Sequence, residues 1–159
     1  MTDRGVALLN REFRKASDEG HYVLMHPRAT ISCRLGSDEV ELGAEFTRPF
    51  DFELSVRILQ ESDYLEFFSK PELTFDDPGF DEALLVRGFA YRVRSLLTPH
   101  VRQALMDLRG CATALALTQE RLVATCGAAN YDVTAEAVDA FLAALDALTG
   151  RSEAGPAYR

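Results

Sequence analysis

The sequence predicts an α+β fold, an antiparallel β-sheet covered on one side by helices. Two observations predict it. Residues 30–58 hold three successive runs of alternating apolar and polar side chains. Their apolar members are Ile31, Cys33 and Leu35, then Val40, Leu42, Ala44 and Phe46, then Phe52, Leu54, Val56 and Ile58. A period of two gathers such a set on one face of a sheet, whereas a helix would scatter it around its circumference. The second observation is a change of period. Apolar residues recur three and four apart over residues 93–108 and 138–148, which is the spacing of helices with one buried face.

In order along the chain, residues 3–19 read as an amphipathic helix. Val6, Leu9, Phe13 and Ala16 share one face, and Gly20 supplies a left-handed stop. A short strand follows at 22–25, ended by Pro27. The three alternating runs then predict a meander of strands at 30–35, 39–46 and 52–58. Residues 60–82 lose periodicity and read as a long connection containing Pro71 and an Asp77-Pro78-Gly79 turn. A strand at 83–88 closes it. Next comes a helical region over 89–109, broken into two segments where Thr98 caps a new helix and Pro99 occupies its first turn. Residues 112–118 and 121–126 pair as a hairpin, with Leu117 opposite Leu122, Leu115 opposite Ala124 and Thr113 opposite Cys126. A last helix spans 134–149, capped by Thr134 and ended by Gly150. The predicted order is α-β-β-β-β-loop-β-α-β-β-α. It makes one domain over residues 1–150, followed by a loose tail at 151–159.

Composition narrows the function classes. A hydrophobic fraction of 47% and a charged fraction of 26% over 159 residues suffice for a core without disulfides or metal. Apolar stretches such as residues 6–9 fall far short of the ~20 residues a membrane helix needs. Arg4 has no adequate apolar segment behind it, so no secretory signal is read. Cys33, Cys111 and Cys126 form no close pair and have no histidine near them in sequence. They read as small apolar residues of a protein in a reducing, cytoplasmic setting. The net charge is -8 and uneven. Residues 61–82 hold eight acids against one base, and residues 83–109 hold five arginines against one acid. An acidic chain of this kind is repelled by nucleic acid and by anionic membrane surfaces.

Candidate site residues cluster in the middle of the chain. Tyr64, Phe67, Phe68, Phe75 and Phe80 could dock a partner, because rings offer much contact area at low entropy cost. The favoured alternative is that they pin their segment onto the sheet as a satellite of the core. Asp76, Asp77, Asp81 and Glu82 crowd one turn, but their spacing is not that of a calcium loop, and the turn reads as a solvated acidic rim. Arg87, Arg92, Arg94, Arg102 and Arg109 could hold an anion or pair with those acids. His21, His26 and His100 belong to no metal-binding spacing. None of the nucleophile-elbow, phosphate-loop, dinucleotide or zinc-protease motifs occurs. The sequence therefore offers no catalytic residues, no metal ligands and no cofactor.

The phrases GFDEALLVRG, VRSLLTPHVRQALMDL and TALALTQERLVATCG together resemble a family of uncharacterised bacterial domains of unknown function, over residues 75–127. In that family an apolar strand after Phe-Asp precedes a helix opened by Leu-Leu-Thr-Pro and then a hairpin. Some of its members are tethered to membranes, and this sequence lacks their hydrophobic spans. The order of elements also resembles type III secretion chaperones, which are small, acidic, usually dimeric and bind extended segments of client proteins. The long 60–82 connection departs from that pattern. The first family carries no agreed activity. The acidity, the order of elements and the lack of catalytic motifs lead to the expectation of a non-enzymatic protein-interaction or chaperone-like module, with another protein as partner and a homodimer as an allowed state. The alternative is a small-molecule-binding domain or enzyme with a pocket near the 99–109 helix, using Arg102, His100, Asp76 and Asp77.

Overall fold

A computed structural model describes residues 14–17, 21–36, 38–60, 72–127 and 131–150. Among these residues, eight strands form one antiparallel sheet. They are β1 (Arg14–Ser17), β2 (His21–His26), β3 (Ala29–Leu35), β4 (Glu39–Phe46), β5 (Leu54–Ile58), β6 (Leu84–Gly88), β7 (Ala112–Thr118) and β8 (Arg121–Gly127). Their spatial order is β1-β2-β3-β4-β8-β7-β5-β6. Four helices are described: α1 (Pro78–Ala83), α2 (Ala90–Leu96), α3 (Pro99–Cys111) and α4 (Tyr131–Thr149). The α+β class and the antiparallel sheet are those the sequence predicts.

The alternating side chains line up in register as rows across the sheet. Tyr22, Cys33, Leu42, Ala124 and Leu115 form one row, and Ile31, Ala44, Leu122, Leu117, Val56 and Val86 form the next. All eleven are buried. The α3 and α4 helices lie over this face and against each other. They bring Val101, Leu105 and Leu108 from α3, and Val138, Phe141 and Leu145 from α4. On the opposite face Arg34 stands beside Glu41, and Glu45 stands beside Arg121, all exposed. Opposite charges in register suit a wet sheet face. The sheet is one-sided.

The β2–β3 turn is tied to the end of α4. His26 Nδ1 accepts the Arg28 N–H at 3.1 Å, so the ring hydrogen sits on Nε2, which donates to Asp146 at 2.8 Å. The Arg28 guanidinium donates to the Thr149 carbonyl at 3.1 Å, placing a cation at the negative end of the helix.

Several expectations are corrected. Residues 14–17 lie within the predicted first helix yet form β1, because β2 leaves an edge whose backbone groups Arg14–Ser17 pair with. The rest of that helix, residues 3–13 and 18–19, lies outside the described residues, as does the tail at 151–159. β5 does not follow β4 in space. The β7–β8 hairpin, apolar on its inner face along both strands, inserts between them. The chain then crosses the hairpin turn, with the Phe46 and Phe50 N–H groups donating to the Glu120 and Gln119 carbonyls. In the hairpin itself Ala112, and not Thr113, stands opposite Cys126. Thr113 falls in a bulge and returns its hydroxyl to the Thr125 carbonyl at 3.2 Å. Finally, α4 begins at Tyr131, which places Thr134 inside the helix rather than at its cap.

Candidate functional site

The β5–β6 end of the sheet gathers the residues with accessible chemistry. There the chain returns along the outer side of β6 as an extended strap, residues 72–77, before α1. The Leu73 N–H donates to the Val86 carbonyl at 2.8 Å. Asp77 is the N-cap of α1, accepting the Phe80 N–H at 3.4 Å, with Pro78 in the first turn where its missing N–H costs nothing. Asp81 folds back, and its carboxylate accepts the Phe75 N–H at 3.0 and 3.2 Å and the Asp77 N–H at 3.2 Å. The acidic turn is thus largely spent on its own backbone. Asp76, exposed at the bend between strap and helix, takes a φ of 55°, a left-handed conformation that a non-glycine residue adopts only at a cost.

Arginines from α2 and α3 close on this strap. The Arg102 side chain, 15% exposed, donates from Nε to Asp77 at 3.1 Å and from Nη1 to the Leu97 carbonyl at 2.8 Å. Its guanidinium lies 5.4 Å from the Phe75 ring centroid and 6.0 Å from that of Phe80. Arg94 lies over the Phe75 ring as well, also at 5.4 Å, and donates to the Thr74 carbonyl. Phe75 therefore contacts two cations and meets Phe80 edge-on at 5.4 Å. Each contact exploits the negative face or positive edge of a ring.

Beside the strap, the entry to α2 carries two exposed rings. Gly88 has a φ of 140°, and a Cβ there would sit 2.2 Å from the Glu53 carbonyl oxygen, so only glycine fits. That close approach lets the Phe89 N–H reach the same carbonyl at 3.0 Å, fixing the turn that presents Phe89 and then Tyr91. Phe89 is 58% exposed and Tyr91 76%. Next to them Arg92 lies over the Phe52 ring at 5.0 Å and bonds Asp51 at 2.8 Å. Among the described residues the remaining large exposed apolar side chain is Met25, on β2 in the other half of the sheet.

The structure unites some predicted site residues and not others. Arg102 and Asp77 are in contact, while His100 is exposed in the first turn of α3. Of the polar groups that a pocket near α3 would have used, Arg102 and Asp77 are engaged with each other and with backbone, whereas Asp76 and His100 are exposed. Phe80 is buried and Phe75 half-buried, so both pin the strap and α1 to the body of the domain. Tyr64, Phe67 and Phe68 lie outside the described residues.

Phe89 and Tyr91 were not singled out from the sequence. Phe89 sits four residues before buried Val93, a spacing that implies a shared buried face. Phe89, however, precedes the helix with extended backbone and leaves that register. Tyr91 was legible, since it falls among Arg92, Arg94 and Ser95 on the polar side of α2.

The surroundings of all three cysteines favour the neutral thiol. Burial pushes the Cys33 thiol up to about 12 and the Cys126 thiol up to about 11, each helped by a neighbouring thiol. Cys111, half-buried, is raised by burial and by Glu136 and Asp107. A thiol held neutral is a poor nucleophile and a poor metal ligand. Among the described residues no group of three or more His, Cys, Asp or Glu side chains could hold a metal ion, and no helix is long and apolar enough to cross a membrane.

No protein-family model matches the chain, and no curated protein matches it. Among solved structures it is similar to the mycobacterial trehalose monomycolate transport factor A. That match has 12% identity and a TM-score of 0.47, covering 89% of this chain and 83% of that one.

Proposed function

We propose that this protein is a non-enzymatic interaction module of the chaperone-like kind, which meets another protein at the β5–β6 end of its sheet. The observation that carries the reading is the exposure of Phe89 and Tyr91 on a turn fixed by Gly88. Aromatic rings on a fixed backbone bring large contact area at low entropy cost, which is the profile of an interface anchor. Nearby arginine and aspartate side chains supply a polar rim. Buried, neutral thiols and carboxylates used as backbone caps give no support to a catalytic reading.

The test compares affinity capture from host lysate by the native chain and by the Phe89→Ser/Tyr91→Ser variant. The reading expects at least one protein to fall about tenfold or more in recovery, while the unfolding midpoint of the variant stays unchanged. Identical captures from two equally stable proteins would sink it.

A further inference from the structure

Among the described residues β6 is an edge of the sheet, and its outward backbone groups are partly occupied by the chain itself. The Leu84 N–H is taken by the Phe80 carbonyl of α1, and the Val86 carbonyl is taken by the Leu73 N–H of the strap. These two contacts differ in anchorage. α1 is fixed by Phe80, which is buried, and by the Asp77–Arg102 pair at its cap. The strap ahead of it makes one hydrogen bond to β6, takes Arg94 on the Thr74 carbonyl and two guanidiniums on the Phe75 ring, and is joined to α1 by the Asp81 carboxylate on the Phe75 N–H and by the edge contact of Phe75 with Phe80. Asp76, with its left-handed backbone, marks the joint between the two.

We propose that residues 73–75 are an in-chain occupant of a peptide site on the β6 edge, displaced when an extended segment of the protein partner binds. The inference rests on the reading above and names what the partner presents. Three features of the seat define the ligand. The Val86 carbonyl takes a backbone N–H, Arg94 takes the next carbonyl, and the space beside Arg94 and Arg102 takes a ring. The segment recognised is therefore extended, with an aromatic residue two positions after the one whose N–H meets Val86. Strand addition of this kind gives affinity through backbone hydrogen bonds and specificity through side-chain pockets. Self-occupation also keeps the edge from pairing with other chains.

The probe is a fluorescein-labelled, end-blocked peptide of sequence ELTFDD, the strap's own residues 72–77, titrated by anisotropy against full-length protein. Phe75→Ala frees the ring seat and is expected to bind it at least tenfold more tightly than the native chain. Leu73→Pro, which removes the N–H that meets Val86, is expected to give the same gain and stands in if Phe75→Ala fails to fold. The peptide ELTADD should not bind either variant, and adding Arg94→Ala should cost tenfold. Equal or absent binding of ELTFDD by native chain and folded variant overturns the proposal, as does equal binding of ELTADD. Neither result touches the capture test at Phe89 and Tyr91, so the two ideas fail separately.

Discussion

From β3 to β8 the sheet lies under α3 and α4, and its inner side chains are aliphatic, thiol or aromatic groups sealed from water. From β5 to β6 the inner face is equally dry, but the rim is built from arginines on rings, arginines on carboxylates and rings left in water. The difference teaches where each half can change. Close packing resists any loss of volume, whereas exposed cation–π contacts and ion pairs contribute ~1 kcal/mol or less each. The centre holds the fold. The β6 end has contacts weak enough to exchange for those of a partner.

The largest effect expected tests the centre. Leu122 is fully buried in the second row, and Leu122→Ala should cost about 2–5 kcal/mol in urea unfolding. A loss below about 1 kcal/mol would mean that the centre is loosely packed and the contrast is false. Gly88→Ala probes the junction. Its Cβ would press on the Glu53 carbonyl at a positive φ, so a loss of about 1–3 kcal/mol is expected by thermal melting.

A comparison of two arginines sharpens the picture at the β6 end. Arg102→Ala removes a largely buried side chain that donates two hydrogen bonds and should cost about 1–3 kcal/mol. Arg92→Ala breaks a pair whose partners are 47% and 76% exposed and should cost less than ~1 kcal/mol. Equal losses in denaturant titrations would remove the distinction between latch and rim.

The smallest effect at neutral pH is that of the thiols. Folding holds Cys33 and Cys126 above the ordinary value of 9.0, so the folded state keeps protons that the unfolded chain releases. Stability from these groups is complete below about pH 9 and declines as pH rises toward 11–12. Cys33→Val and Cys126→Val should flatten that alkaline decline in urea titrations between pH 8 and 10.5. An unchanged slope would show that the thiols contribute none of it.

Much of the centre was legible in the sequence, because alternation over residues 30–58 and the Leu117–Leu122 pairing are local signals with one geometric solution. Strand order was not. Whether β5 lies beside β4 depends on where the β7–β8 hairpin inserts, and nothing within residues 30–58 encodes that choice. The same limit applies to Arg14–Ser17, whose helical spacing yields to an edge that β2 offers across a turn. At the candidate site, Thr98 and Pro99 announced the start of α3 correctly, since a cap is a matter of adjacent residues. The clasp of Arg94 and Arg102 on Phe75 joins residues about twenty to thirty apart, so spacing alone could not reveal it. Phe89 escaped notice because periodicity places its ring on the buried face of a helix that begins one residue later, at Ala90.

The central claim, that the β6 end is where this protein meets its partner, is tested most directly by a photo-crosslinking amino acid placed at position 91 or at position 25. Both positions are exposed and lie in opposite halves of the sheet. In living host cells the account predicts a discrete higher-mass adduct from position 91 and none from position 25. Adducts from position 25 alone, or from neither, would contradict it.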